Sequence, residues 1–160
     1  MKKIVLIIAL ITSVKTEAQV TAVSLQASGL TCSMCSNAIN KSLKTLDFVR
    51  EVEADIKTYT FTITFEPGVA IDFDKIKNKV ESAGFTVYAF VATIYFDNVR
   101  VAGNQPVMIQ DKTLLFKEAV EQVLDGEKKV RLLDKGFVPA KEFKKNTDLV
   151  SSPHTYHVAL

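Results

Sequence analysis

Between Val20 and Phe96 the spacing of apolar residues switches repeatedly between alternation and helical intervals, and the switches divide the segment into elements. Val23, Leu25 and Ala27 alternate with polar neighbours, which predicts a first strand that stops at Ser28-Gly29. Cys35, Ile39, Leu43 and Leu46 then recur at the interval that places them on one buried face of a helix. Val52, Ala54 and Ile56 alternate again. Tyr59, Phe61, Ile63 and Phe65 follow with Thr60, Thr62 and Thr64 between them, the pattern of a hairpin with one polar face. Pro67-Gly68 closes the hairpin, and Asp72 or Asp74 caps a second helix whose apolar face carries Phe73, Ile76, Val80 and Ala83. Gly84 ends that helix, and Phe85, Val87, Ala89 and Val91 open a fourth strand.

The order strand, helix, strand, strand, helix, strand predicts an α+β fold of the ferredoxin-like βαββαβ kind, with two helices on one face of an antiparallel sheet. The fourth strand is apolar on both faces, since Tyr88, Phe90, Ala92, Ile94 and Phe96 fill its other side. A free-standing sheet would leave such a face wet, so the remaining residues are expected to cover it or the far end of the strand. They show turn signals at Gly103-Asn104 and Asp125-Gly126, with apolar runs at Val107 to Ile109, Leu114 to Phe116 and Val130 to Leu133. Phe116, Val120 and Val123 also fit a helix, but the neighbouring Asp125-Gly126 hairpin signal favours strands. Pro139 is placed to start a short helix over Ala140 to Lys145. The expected organisation is a ferredoxin-like domain over 19–96 and a small β-rich module over 97–160.

The chain has 160 residues, 48% of them hydrophobic, enough for a working core. Met1-Lys2-Lys3 followed by the apolar run Ile4 to Ile11 has the layout of a secretory leader, with Ala18 as the small residue before cleavage. The run is shorter than the roughly 20 residues a membrane span needs. Residues 1–18 are therefore expected to be removed on export to a periplasmic or extracellular compartment, leaving no membrane span in the mature chain. That removal takes three Lys and one Glu from the 20 basic and 18 acidic residues, leaving 17 of each. A neutral chain without an aromatic-interleaved basic stripe is a poor partner for nucleic acid.

The only two cysteines are Cys32 and Cys35. A bridge across Cys32-Ser33-Met34-Cys35 would close a tiny loop and remove little entropy from the unfolded chain, so it makes a poor staple. Thiolates at a helix N-terminus are favoured by its dipole and unpaired amides. Two such soft donors without an adjacent His or carboxylate suit Cu(I), and are too few to close a tetrahedral zinc site. Cys35 lies on the buried helical stripe, so Cys32 is expected to be the more accessible thiol and to meet incoming metal first.

Gly29-Leu30-Thr31-Cys32-Ser33-Met34-Cys35 resembles the Gly-Met-Thr-Cys-x-x-Cys signature of the heavy-metal-associated domain family, which includes copper chaperones, copper-ATPase metal-binding domains and periplasmic mercury-binding proteins. The resemblance covers about Val20 to Val91, with Leu30 where the family has an apolar Met packed under the loop. It implies metal ligation by Cys32 and Cys35, with Cu(I) as the first expectation and Hg(II) or Zn(II) as the others. It also implies a protein metal donor or acceptor such as a copper-transporting ATPase. Ala83-Gly84-Phe85 is similar to the family's small-Gly-aromatic step, which would put Phe85 beside the metal loop. Zinc-selective relatives often carry an acid just before the first Cys, where this chain has Thr31.

Thioredoxin-like oxidoreductases also set a Cys-x-x-Cys at a helix start, so a thiol–disulfide oxidoreductase is the rival reading. A structural or interaction protein with an oxidised pair is the third. The strand order, the absence of an aromatic residue before Cys32 and the absence of Pro within the motif favour the metal carrier. No residue pair suggests acid–base catalysis, and an enzyme is not expected. His154 and His157 invite a second metal site only if their segment turns, because in a strand residues three apart face opposite sides. Met34 and Met108 carry thioethers that suit Cu(I) but are more commonly packing residues. Lys41 and Lys44 give the first helix a basic outer patch.

Overall fold

The alternation of Val23, Leu25 and Ala27 folds as β1 (Gln19–Ser28), with all three side chains buried. The structure, a computed structural model, describes residues 18–103, 105–145 and 152–160. The expected leader and Asn104 lie outside the described residues, apart from Ala18, which is buried next to β1. After β1 come α1 (Ser33–Leu43), β2 (Val49–Asp55), β3 (Thr60–Phe65), α2 (Phe73–Ser82) and β4 (Thr86–Val101). The first six elements thus follow the order read from the hydrophobic pattern.

Each helix buries the stripe its sequence displays. Ile39 and Leu43 of α1 and Phe73, Ile76 and Val80 of α2 are fully enclosed. Asp72 is the N-cap of α2, its carboxylate accepting the Lys75 amide at 3.0 Å. Leu46, Ile56 and Ala83 fall just beyond the ends of α1, β2 and α2, and Tyr59 and Phe85 just before β3 and β4, so these apolar positions assigned to elements belong to the adjoining turns. The Ser42 hydroxyl of α1 donates to the Lys79 carbonyl of α2 at 3.1 Å, joining the two helices side by side.

The second half of the chain is β5 (Pro106–Ile109), β6 (Lys112–Phe116), β7 (Gln122–Leu132), α3 (Ala140–Phe143) and β8 (Thr155–Ala159). Among the described residues the strands form a single sheet in the order β2-β3-β1-β4-β7-β8-β6-β5, antiparallel except where β6 runs parallel to β8. The expected division at residue 96 falls inside β4, which continues to Val101 and pairs with β7 from Val91 to Val101. The later strands widen the sheet laterally and share its core. Phe137 packs edge-on against Phe90 at 5.1 Å, and Tyr156 lies 5.3 Å from Phe73 of α2. Phe90, Ala92, Ile94 and Phe96 are the buried face of β4, while Ala89, Val91 and Thr93 of the other face are only half-buried.

Asp125-Gly126, expected as a hairpin turn, lies within β7. There Asp97 and Asn98 of β4 oppose Asp125 alone, between the pairs Phe96–Gly126 and Val99–Leu124. Gly126 (φ 72°) and Asn98 (φ 50°) take the left-handed conformation such a bulge uses. Turns and bulges ask for the same residues, so the dipeptide alone does not separate them. Pro139 precedes α3 as its N-cap, and the helix ends at Phe143, short of the expected Lys145. Among the described residues no helix is long and apolar enough to cross a membrane.

Candidate metal site

The loop between β1 and α1 is held from both sides. Gly29 turns the chain at φ 88°, a conformation an L side chain resists. Just before it, the Ser28 hydroxyl meets the Thr86 hydroxyl at 2.7 Å, pinning the end of β1 to the start of β4. Leu30 is buried beneath the loop, as its apolar character requires. Phe85 is half-buried against the core beside Gly29, its ring 3.9 Å from where a Cβ on that glycine would stand. Phe85 therefore sits next to the loop, where the family resemblance put it.

Cys32 is the N-cap residue of α1, with extended backbone (φ −154°, ψ 163°) and no side-chain cap bond. The first turn of α1 contains no acid. The partial positive charge of the helix start therefore falls on the two cysteines, unopposed by a carboxylate. The Cys35 amide donates to the Cys32 carbonyl at 3.2 Å, which folds the loop back and brings the Sγ atoms to 3.1 Å. Both cysteines are free thiols. Cys32 is exposed, whereas Cys35 is half-buried against the hydrophobic core, the difference expected from the helical stripe. Hydrogen bonding from the Cys32 thiol, and then from the Thr31 backbone, holds the Cys35 thiol below its ordinary range.

The remaining candidates are dispersed. Met34, in the first turn of α1, is 80% exposed, and Met108, on β5, is 71% exposed, so neither packs in the core as methionines commonly do. His154 is exposed with φ 56° just before β8, whereas His157 is buried within β8. His157 is bound to Asp134 twice, through its amide at 2.6 Å and its Nδ1 at 2.8 Å. That pairing gives His157 a structural partner. Lys41 on α1 and Lys44 at its C-cap are exposed. Among the described residues no three of the His, Cys, Asp and Glu side chains are grouped to hold a metal ion.

Two features of the site escape the sequence. Ser28 and Thr86 are 58 residues apart, and only the β1–β4 register brings their hydroxyls together. Ser36, one residue after Cys35, is buried with an unpartnered hydroxyl. Its place on the helical stripe with Ile39 and Leu43 was the available signal. Chemically, the loop offers two adjacent sulfur donors, one open to solvent and one anchored. Such a pair can accept a soft ion while leaving room for an incoming ligand.

The family model described as heavy-metal-associated domain matches residues 24–86. Over 64 residues the chain is 34% identical to a protein described as a probable copper-exporting P-type ATPase from Archaeoglobus fulgidus. That match takes in 40% of this chain but only 8% of the relative's length. Among solved structures, a yeast copper transporter domain determined in apo and Cu(I)-loaded states is 33% identical. The match covers 42% of this chain and 90% of that one, with a TM-score of 0.37. A copper-binding domain from a P-type ATPase is 25% identical, covering 44% and 96%, with a TM-score of 0.38.

Proposed function

Residues 24–86 belong to the heavy-metal-associated domain family, and from that premise we propose that Cys32 and Cys35 bind a soft heavy-metal ion, Cu(I) before Hg(II) or Zn(II), for transfer to another protein. The observation that carries this reading is the pair of free thiols 3.1 Å apart at an uncapped helix start with no acid in its first turn. Thiolate is the metal-binding form of cysteine, and Cys35 is biased towards it. A low-valent ion satisfied by two sulfurs needs no further protein ligand, whereas zinc would ask for two more.

The exposure of Cys32 makes it the entry ligand and the anchored Cys35 the holding ligand. A partner's thiolate joins the ion before either cysteine leaves, so the metal passes between proteins without release to water. This role is that of a carrier with no chemical turnover. We place it outside the cytoplasm, on the leader-like residues 1–18, with a copper-transporting ATPase as the kind of donor or acceptor it serves. In an oxidising compartment the pair must be kept reduced to function.

The test is an anaerobic Cu(I) titration of the reduced protein against a strong competing chelator, alongside a Cys32→Ala, Cys35→Ala variant. Equimolar, competitive binding that the variant loses supports the carrier. Failure of the wild type to outcompete the variant, together with reduction of insulin disulfides, would establish the oxidoreductase in its place.

A further inference from the structure

Where β4 leaves the metal loop, its pairing with β1 contains an extra residue. Ala27 faces Val87 and Gln26 faces Ala89, so Tyr88 is left unpaired between them. A bulge of this kind re-aims a side chain. Tyr88 is half exposed and forms part of the wall of a cavity of about 670 Å³. Val87 of β4, with Val138, Pro139 and Phe143 around the start of α3, makes the rest of the lining largely apolar. The volume lies within the roughly 300–1,000 Å³ typical of small-molecule sites.

The charges at this cleft are Lys135, Lys144 and Glu81. Both lysines are exposed, and neither has an ion-pair partner among the described residues. Two ammonium groups against one carboxylate leave the cleft with an excess positive charge, which selects an anion. The apolar lining gives nothing to a small, fully hydrated ion, so the ligand needs an apolar body as well. We propose that this cleft binds a free amphipathic monoanion, a carboxylate carrying an apolar chain or ring. The apolar part lies against Tyr88, Val138 and Phe143, and Lys135 and Lys144 hold the carboxylate. Most of the lining, both lysines included, comes from residues 135–144, so the site is incomplete in the matched segment 24–86 alone. Its use does not depend on the thiols.

Isothermal titration of the full chain with decanoate, below its micelle concentration, tests the assignment. Saturable equimolar binding is expected, with no binding of acetate, which lacks the apolar body, or of decylamine, which reverses the charge. The surface variant Lys135→Glu, Lys144→Glu should keep its thermal unfolding but bind decanoate at least about tenfold more weakly, the effect of losing a charged hydrogen bond. A Cys32→Ser, Cys35→Ser variant should bind as the wild type does. Absence of decanoate binding, equal binding of decylamine, or unchanged affinity in the lysine variant would overturn the proposal. Binding only to phosphatidylglycerol vesicles would overturn it too, by assigning the lysines to a membrane surface.

Discussion

Replacing Phe137 with Ala probes whether the later strands and the metal-loop region share one core. Phe137 is 2% exposed, edge-on to Phe90 at 5.1 Å and to Tyr156 at 5.7 Å, with the Lys77 ammonium 5.0 Å from its ring. Phe90 belongs to the strand that pairs with β1, and Tyr156 to β8 at the far side of the sheet. Truncating an enclosed phenylalanine costs about 3–5 kcal/mol through lost transfer energy and the cavity left behind. A domain of this size has about 5–15 kcal/mol in total, so the loss is a large share of its stability. Urea unfolding followed by circular dichroism measures the change. Native-state hydrogen exchange locates it, through the amides of Val23 and Leu25 in β1 and Phe61 and Ile63 in β3. Those amides should lose protection along with the amides of β7 and β8. Faster exchange confined to β7 and β8, with β1 and β3 at wild-type protection, would refute the single core.

Further outcomes follow from the loop and the first turn of α1. Gly29→Ala should destabilise the protein by about 1–2 kcal/mol, because the new Cβ meets no clash but the left-handed backbone resists it; thermal unfolding and Cu(I) affinity should both fall. Ser36→Ala removes an unpartnered buried hydroxyl, so chemical denaturation should show stability unchanged or slightly raised. A clear loss would mean that the hydroxyl has a partner. Cys32→Ala takes away the main hydrogen bond that lowers the Cys35 pKa, so thiolate absorbance near 240 nm should appear at higher pH in the variant. In the wild type, metal binding should weaken as pH falls through the lowered Cys35 pKa, where protons compete for the sulfur.

Much of the first half was legible because its periodicities are strong and local. The stripe Ile39–Leu43 and the threonine-alternating strand β3 appear where the spacing put them, and Cys35 is the more enclosed thiol because it follows that stripe. The second half was harder for a physical reason. Alternation cannot tell a strand that ends from one that continues past a bulge, so β4 ran beyond residue 96 and Asp125-Gly126 became part of β7. Non-local facts were out of reach altogether. The parallel pairing of β6 with β8, the Ser28–Thr86 contact and the enclosure of His157 by Asp134 depend on register between distant segments. Met34 and Met108 show the limit of residue-type expectations, since both stand in solvent.

If Cys32 and Cys35 alone ligate the ion, X-ray absorption at the copper edge of the Cu(I)-loaded protein will see only their sulfurs. With metal–sulfur bonds of about 2.3 Å, as for zinc thiolates, two sulfurs on opposite sides of one ion stand about 4.6 Å apart, so loading must open the present 3.1 Å contact. The spectrum should show a shell of two sulfur neighbours per copper, lost in the Cys32→Ala, Cys35→Ala variant. A shell dominated by nitrogen or oxygen, or one that survives in the variant, would contradict ligation by these two cysteines.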